Sequence, residues 1–510
     1  MDQILHIKKI PLSDKINLSA MIYFPKYKNT QFPAILNFTP YAADKNHGHS
    51  HYLIDGGYVL ISVDSRGRGD SDGTFIPFEN DSEDLYDICE WIVQQPWSNK
   101  MIGMFGASYE GFVQWSSFKK FHPAIKTLVP SASAALGIDF PVHNGIFFTY
   151  IAQWLTLVSG RYNKANIFHD QKYWNKLCYE ADMSFEKLSD MVSIDKSILE
   201  KLMSGEEYWK NLRPLDECYK NVKVPILTIT GYYDDDQSGA LHYYKKYEIN
   251  SENNYLLIGP WNHGGTRKPA KKITYGTTNL EFGDNAVIDI NQLHVEWYNY
   301  IFKSGKFPKF LDKRVTYYEM GTNLWRYADS LDKISNTAVR LFLSGDHLSN
   351  KMKIPDDEYN DLIFCRDMDD TALELIITST NYVEKYKSKL VFTSDPFEDD
   401  ICCGGIPKLN IYISSDKKDT NNSTNLEINL FEQKDNGELI FLSRDSGKLT
   451  LSDVVKLYTF ETFPFFCRRL KKNSKLILTV GYLYSVHWEK NNSNTVFIHE
   501  NSYIDLPNSF

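Results

Sequence analysis

The sequence predicts an α/β protein: a mostly parallel, doubly wound sheet interrupted by a helical cap and followed by an all-β sandwich. Three patterns carry that expectation. Short apolar runs bounded by turn residues recur at Ala34–Phe38, Tyr58–Val63, Met101–Phe105, Thr127–Pro130, Pro225–Thr230 and Tyr255–Ile258, with helical sequence between several of them. That is the rhythm of buried parallel strands. Between Ala134 and Asn221 the rhythm stops, and an aromatic stretch gives way to Lys/Glu/Leu-rich helical sequence through Trp209. From about Val339 short alternating segments take over, at Arg340–Leu343, Leu409–Ser414, Leu426–Leu430, Leu439–Leu442 and Leu476–Val480, separated by Gly, Asn, Asp and Ser turns. At 510 residues the chain holds two to three domains. The expected boundaries are 1–133 with 222–335 for the sheet, 134–221 for the cap and 336–510 for the sandwich.

Along the chain, Met1 through Lys15 alternates apolar and charged residues and runs into Leu18 to Tyr23, an opening strand pair rather than a secretory leader. Asp81–Gln95 is an amphipathic helix. Leu85, Ile88, Trp91 and Ile92 face inward, while Asp84, Asp87 and Glu90 are assigned to a solvated face. In the cap, Phe140, Phe147, Phe148, Tyr150, Trp154 and Leu155 are core residues, some of which are expected to roof an acyl pocket. Asp416 through Asn425 reads as a polar loop.

Composition excludes several classes. Net charge is −9 and no long Lys/Arg run exists, which argues against nucleic-acid binding. No apolar run approaches the roughly 18 residues of a membrane helix. Seven scattered cysteines suggest reduced thiols and a cytoplasmic protein, in which the sequons at Asn421 and Asn422 stay idle. Cys402-Cys403 lacks zinc-ligand spacing, and the alternate histidines His47, His49 and His51 have no acidic partner beside them. No metal or organic cofactor is expected. The histidine loop follows Tyr41 closely and is placed at the rim of a cleft.

The chemistry is concentrated at Gly106-Ala107-Ser108-Tyr109-Glu110-Gly111. The stretch resembles the G-x-S-x-G nucleophile elbow between a buried strand and a helix, with its second glycine one position later at Gly111; the turn is so sharp that only small residues fit on either side of the serine. A serine so placed needs a base, and the base needs a carboxylate to hold its tautomer. These follow in chain order on loops after later strands. The strand ending at Gly231 delivers Asp234, and the strand ending at Gly259 delivers His263. Oxyanion donors are the N–H of Tyr109, next after the serine, and the Tyr41 hydroxyl at the exit of the Ala34–Phe38 strand.

These residues resemble the cocaine esterase, α-amino acid ester hydrolase and X-prolyl dipeptidyl peptidase family of serine hydrolases. The likeness extends through Thr39-Pro40-Tyr41, Asp64-Ser65-Arg66-Gly67-Arg68-Gly69-Asp70-Ser71-Asp72-Gly73, Trp91 through Asn99, Gly259 through His263, and His294 through Tyr298. Thr393 through Phe397 and Leu409 through Asp416 are similar to its C-terminal domain. The resemblance implies an α/β-hydrolase fold with a C-terminal jelly-roll sandwich. It matches Ser108, Asp234 and His263 to the triad, and Tyr41 and the Tyr109 amide to the oxyanion donors.

Tyr109-Glu110-Gly111-Phe112 and Asp234 through Gln237 are more similar to α-amino acid ester hydrolases, whose acidic residues after the triad aspartate bind an α-ammonium. By that likeness Asp236 is a substrate-binding candidate, and Gln237 stands where a second carboxylate is usual. Glu110 and Trp154 are further substrate-binding candidates, while Asp139 and Asn144 stay unassigned. The expectation is a serine hydrolase acting on a small-molecule ester, an amide or a short peptide. Acyl transfer to an amine or alcohol, X-Pro dipeptidyl peptidase activity and a non-catalytic binding role remain open. So does the sandwich's role, as a wall of the site or as a homo-oligomer interface.

Overall fold

The computed structural model describes residues 3–26, 31–148, 150–170, 172–174, 196–203, 205–249, 251–275, 278–350, 359–363, 389–415, 423–483 and 495–509. Ten strands among them form one sheet: β1 (Gln3–Pro11), β2 (Asn17–Phe24), β3 (Phe32–Thr39), β4 (Val59–Asp64), β5 (Ser98–Ala107), β6 (Ile125–Ser131), β7 (Ile226–Tyr233), β8 (Asn254–Asn262), β9 (Val315–Glu319) and β10 (Leu324–Ala328). Their spatial order is β1-β2-β4-β3-β5-β6-β7-β8-β9-β10. From β4 through β9 all neighbours are parallel, and β1, β2 and β10 add antiparallel edges. The six apolar runs of the sequence fall on β3 to β8.

Alternation along these strands supplies both faces with core. Leu36, Ile61 and Leu128 pack with Ile88 of helix α1 (Asp81–Val93) and Trp115 of α2 (Tyr109–Ser116). Ile35, Leu60 and Val129 face the other way, toward Trp297 and Tyr298. Those two rings belong to a helix, Ile290–Phe302, that is also pinned by polar bonds. The Trp297 indole donates to Thr127 Oγ1 at 2.8 Å and the Tyr298 hydroxyl to the Met104 carbonyl at 2.9 Å.

The charged side of α1 is not the solvated face expected. Asp84 is buried and accepts from Arg66 Nε at 2.7 Å, and Asp81 accepts from the Tyr109 hydroxyl at 2.6 Å. The loop after β4 folds back over the first turn of α1 and brings Arg66 with it, so a carboxylate that reads as solvent-facing meets a guanidinium. Glu90, further along, keeps an open side chain and pairs with His122.

The cap lies between β6 and β7. Its helices are α3 (Tyr150–Val158) and the short segments Ala165–Phe168, Lys196–Met203, Glu206–Leu212 and Asp216–Asn221. A two-strand hairpin, Val142–His143 with Ile146–Phe147, precedes them and was not expected. The helical reading across residues 175–195 lies outside the described residues, as do Cys178, Cys365 and both sequons. Among the described residues no helix is long and apolar enough to cross a membrane.

Among the described residues, thirteen strands between Thr337 and Ser509 build the β-sandwich. Its core comes from alternate residues such as Leu409, Ile411 and Ile413, and Leu426, Ile428 and Leu430. The expected polar loop at Asp416–Asn425 is shorter at its far end, because Ser423–Asn425 already belongs to the strand Ser423–Gln433. The sandwich packs directly on the sheet and cap. The Tyr233 hydroxyl donates to the Phe441 carbonyl at 2.9 Å, and Asn144 Nδ2 donates to Asp445 Oδ1 at 3.1 Å and to the Ser446 carbonyl at 2.8 Å. His143 Nε2 lies 3.1 Å from the same Asp445 oxygen. Asn144 is therefore a connector between cap and sandwich.

Gln237 opens the helix α4 (Gln237–Glu248) and is fully buried. Its Nε2 donates to the carbonyls of Gly231 at 2.8 Å and Phe465 at 3.0 Å, and its Oε1 accepts from the Phe465 N–H at 2.6 Å. An amide serves both the N–H and the carbonyl of Phe465; a carboxylate cannot donate to either carbonyl. Gln237→Glu is expected to lower unfolding stability by about 1–3 kcal/mol through these unmet carbonyls. Chemical denaturation checks it, and an unchanged midpoint would show that the Phe465 peptide is not held this way.

Candidate active site

Ser108 stands between β5 and α2 with φ 65° and ψ −123°, a backbone region that non-glycine residues rarely adopt. Neighbouring bonds hold it there. Its N–H donates to the carbonyls of Ser131 and Ala132 at 3.0 and 2.9 Å, and its own carbonyl accepts from Gly111 and Phe112. The flanking glycines are steric necessities. A Cβ on Gly106, itself at φ +148°, would lie 2.5 Å from Glu110 Cβ, and one on Gly111 would lie 2.4 Å from Ser133 Oγ. The half-exposed serine thus sits at the C-terminal rim of the parallel strands, where the loops after β3, β7 and β8 also emerge.

The loop after β7 carries Asp234 and the end of β8 carries His263. His263 Nδ1 lies 2.9 Å from Asp234 Oδ1. Asp234 is enclosed, and it also accepts from Thr230 Oγ1 at 2.9 Å and from the Asp236 N–H at 3.1 Å. With Nδ1 given to the carboxylate, the half-exposed imidazole keeps Nε2 for a proton. Asp236 Oδ2 lies 3.7 Å from His263 Nδ1, so Asp234, Asp236 and His263 bring potential metal-ligand atoms together. Two of those atoms, His263 Nδ1 and Asp234 Oδ1, already face each other.

Tyr41 follows β3, and the Ser108 side chain is among the groups close enough to act on its hydroxyl. The Trp154 indole N–H donates to that hydroxyl at 3.0 Å. A phenol oxygen that accepts from the indole keeps its own proton to give elsewhere. Burial, with Glu110 adding to it, pushes the Tyr41 hydroxyl up to about 12, so it stays protonated at neutral pH. The Tyr109 N–H belongs to the first residue of α2, where no carbonyl one turn earlier is available. The Tyr109 ring points away from the rim. Its hydroxyl accepts from the Phe78 N–H at 2.8 Å while donating to Asp81.

Two substrate-binding candidates are committed elsewhere. Glu110 is buried beneath the elbow, where it takes the Lys45 ammonium and accepts from the Ala107 N–H at 3.3 Å. Burial works to raise its carboxyl, but the Lys45 charge prevails and holds it below the ordinary range. Lys45 Nζ also lies 4.8 Å from the centroid of the Tyr41 ring. Trp154 is buried in α3, stacked 5.8 Å from Tyr109 and 5.6 Å from Phe78, with its N–H spent on Tyr41. Gln237 faces the sandwich rather than the rim, which accounts for the absent second carboxylate.

Asp236 remains at the rim, with its side chain 16% exposed. Burial, compounded by Asp139 and Asp234, pushes its carboxyl well above the usual range. Asp139, left unassigned from sequence, is the second acid of this group. It accepts from the N–H groups of Ala135 at 2.8 Å and Gly239 at 2.5 Å, and burial pushes it up to about 7. Sequence reading named Asp139 without assigning it a role and missed Lys45, for which it had no signal.

Comparisons with known proteins fit this geometry. Residues 14–265 match the X-Pro dipeptidyl-peptidase (S15) family, and residues 309–452 match the X-Pro dipeptidyl-peptidase C-terminal non-catalytic domain. Cocaine esterase of Rhodococcus sp. is 22% identical over 377 residues, 66% of this chain and 61% of that protein, so the match spans less than two thirds of its length. In fold, the chain is similar to an aminopeptidase from a marine sediment Thaumarchaeota archaeon, with TM-score 0.84, 17% identity and coverage of 100% and 97% of the two chains. An α-amino acid ester hydrolase structure gives TM-score 0.80 at 18% identity, with coverage of 99% and 96%.

Proposed function

Because the chain belongs to the cocaine esterase, α-amino acid ester hydrolase and X-Pro dipeptidyl-peptidase (S15) family of serine hydrolases, we propose that it hydrolyses a small ester, amide or short peptide through an acyl-enzyme. The observation that carries this reading is the His263–Asp234 bond on the same rim as the strained Ser108, with the Tyr41 hydroxyl nearby. His263 Nε2 takes the Ser108 proton as Oγ bonds to the substrate carbonyl carbon. The carbonyl oxygen gains the negative charge and is held by the Tyr41 O–H and the Tyr109 N–H. Collapse expels the leaving group, which receives the proton from His263. Water then attacks the acyl-enzyme by the same proton route and frees Ser108. The five free cysteines among the described residues support a reducing, cytoplasmic setting.

Asp236 and Asp139 support a substrate with a free α-amino group. An ammonium beside them supplies the positive charge that two desolvated carboxyls lack, and it favours their ionised forms. X-Pro peptidase activity is one case of this hydrolysis, and acyl transfer to an amine or alcohol would use the same residues with another second nucleophile.

Ser108→Ala is expected to abolish labelling by a fluorophosphonate probe and to cut turnover by several orders of magnitude, with the fold intact by circular dichroism. Normal turnover in that variant would remove the elbow from the mechanism. Tyr41→Phe is expected to reduce kcat by about 10²–10³-fold with little change in KM, as for loss of an oxyanion donor. Equal kinetics for the two proteins would leave Tyr41 as packing.

The substrate reading has its own discriminator. Asp236→Asn is expected to lower kcat/KM for α-amino esters by about ten- to hundredfold while sparing the matching des-amino esters. Since burial raises the Asp236 and Asp139 carboxyls, the free site holds protons at mildly acidic pH and loses them as pH rises. The ratio of kcat/KM for amino over des-amino ester should therefore climb with pH, until the substrate ammonium itself deprotonates near about 8. A ratio that is flat with pH, together with equal losses on both esters, would reject ammonium recognition.

A further inference from the structure

Arg68 is 1% exposed, and its guanidinium donors reach backbone and amide oxygens on two separate parts of the molecule. Nε donates to the Pro40 carbonyl at 2.7 Å, immediately before Tyr41. Nη1 donates to the Val158 carbonyl at 2.7 Å and to that of Gly160, at and beyond the end of α3. Nη2 donates to Asn163 Oδ1 at 2.7 Å, and the other end of that amide, Nδ2, donates to the Tyr41 carbonyl at 2.7 Å. The surrounding loop is knitted to the same stretch, since the Gly69 N–H donates to the Arg161 carbonyl at 2.7 Å and Arg161 Nη1 to the Ser71 carbonyl at 3.0 Å.

These bonds close a ring. Starting from Arg68, one path runs through Pro40 to Tyr41. The other runs through Val158 and back one turn along α3 to Trp154, whose N–H reaches the Tyr41 hydroxyl. The backbone of Tyr41 and the tip of its side chain are therefore held by two ends of one frame, with the guanidinium at its corner. A planar fork suits that corner because its donors leave in fixed directions, whereas an ammonium has no such geometry. The positive charge also faces the carbonyl end of α3, where the helix dipole favours it.

We propose that Arg68 is a positioning residue for the oxyanion site. It sets the cap helix against the Tyr41 loop so that Trp154 holds the Tyr41 hydroxyl with its proton directed at the reacting carbonyl. The cap is then part of the catalytic apparatus as well as a roof. Arg68 touches no substrate atom; it acts through Tyr41, and the proposal rests on Tyr41 being the oxyanion donor.

The test is a pair of double-mutant cycles. Arg68→Lys and Asn163→Ala are each made alone and with Tyr41→Phe, and kcat and KM are measured on a nitrophenyl acyl ester. Each single variant is expected to lose about tenfold or more in kcat with KM changed by less than about threefold, the mark of a misplaced transition-state donor. Added to Tyr41→Phe, the same changes should cost less than about twofold, since the hydroxyl they position is already gone. Where Arg68→Lys does not fold, Asn163→Ala carries the same comparison from a half-buried position. Losses of equal factor with and without the Tyr41 hydroxyl would overturn the proposal and leave Arg68 as packing. If Tyr41→Phe alone keeps full turnover, the oxyanion reading itself fails and the positioning role falls with it.

Discussion

The candidate site is referenced to one backbone conformation, that of Ser108. A left-handed non-glycine residue stores about 1–3 kcal/mol of strain and persists only where its surroundings over-determine it. Here the Ser108 N–H is bound to two carbonyls at the end of β6, and its carbonyl starts α2. Glu110, Ser131 and Ser133 occupy the space that side chains on Gly106 and Gly111 would need. Any shift of the elbow would have to move two strands and a helix together. The rim loops are then fixed relative to the serine because each leaves a strand of the same sheet.

Around that fixed point, carboxylates of similar depth have opposite character, and neighbouring charge decides which. Glu110 is fully enclosed yet ionised, because Lys45 sits on it. Asp84 is also met by Arg66, but there burial outweighs the guanidinium and the carboxyl is raised. Asp139 has two backbone amides but lies near Asp234 and Asp236, and burial prevails. Glu110 beneath the elbow is thus matched by a cation, whereas Asp139 and Asp236 are short of positive charge. A cationic group on the substrate is the complement to that deficit.

The parts legible in the sequence were those set by local pattern. The apolar runs fell on β3 to β8 because a strand buried on both faces has little room for polar residues, and the elbow was readable because its glycines lie two residues before the serine and three after it, between a strand and a helix. Strand ends placed Asp234 and His263 on loops at the same rim. What stayed hidden depends on pairs far apart in the chain. Asp84 looked solvated because Arg66 lies on another loop, and Trp154 looked like pocket wall because its partner, Tyr41, lies 113 residues away. Gln237 looked like a failed carboxylate because Phe465 is 228 residues distant. Glu110 kept its charge but turned beneath the serine, a direction that its place on α2 did not disclose.

The amide of Gln237 bears on how such a chain can change over evolutionary time. One side chain joins the end of β7, the start of α4 and a peptide of the sandwich, and the adjacent residue is the rim acid Asp236. Drift in the sandwich that moves residue 465 pulls on the substrate side of the cleft without altering any residue that touches substrate. The catalytic half is therefore not an independent cassette. A descendant that discarded the sandwich would expose Gln237, Tyr233 and Asn144 at once, and one that exchanged it would need new partners for all three. On the proposed role of Asp236, specificity is heritable through the apparently inert half.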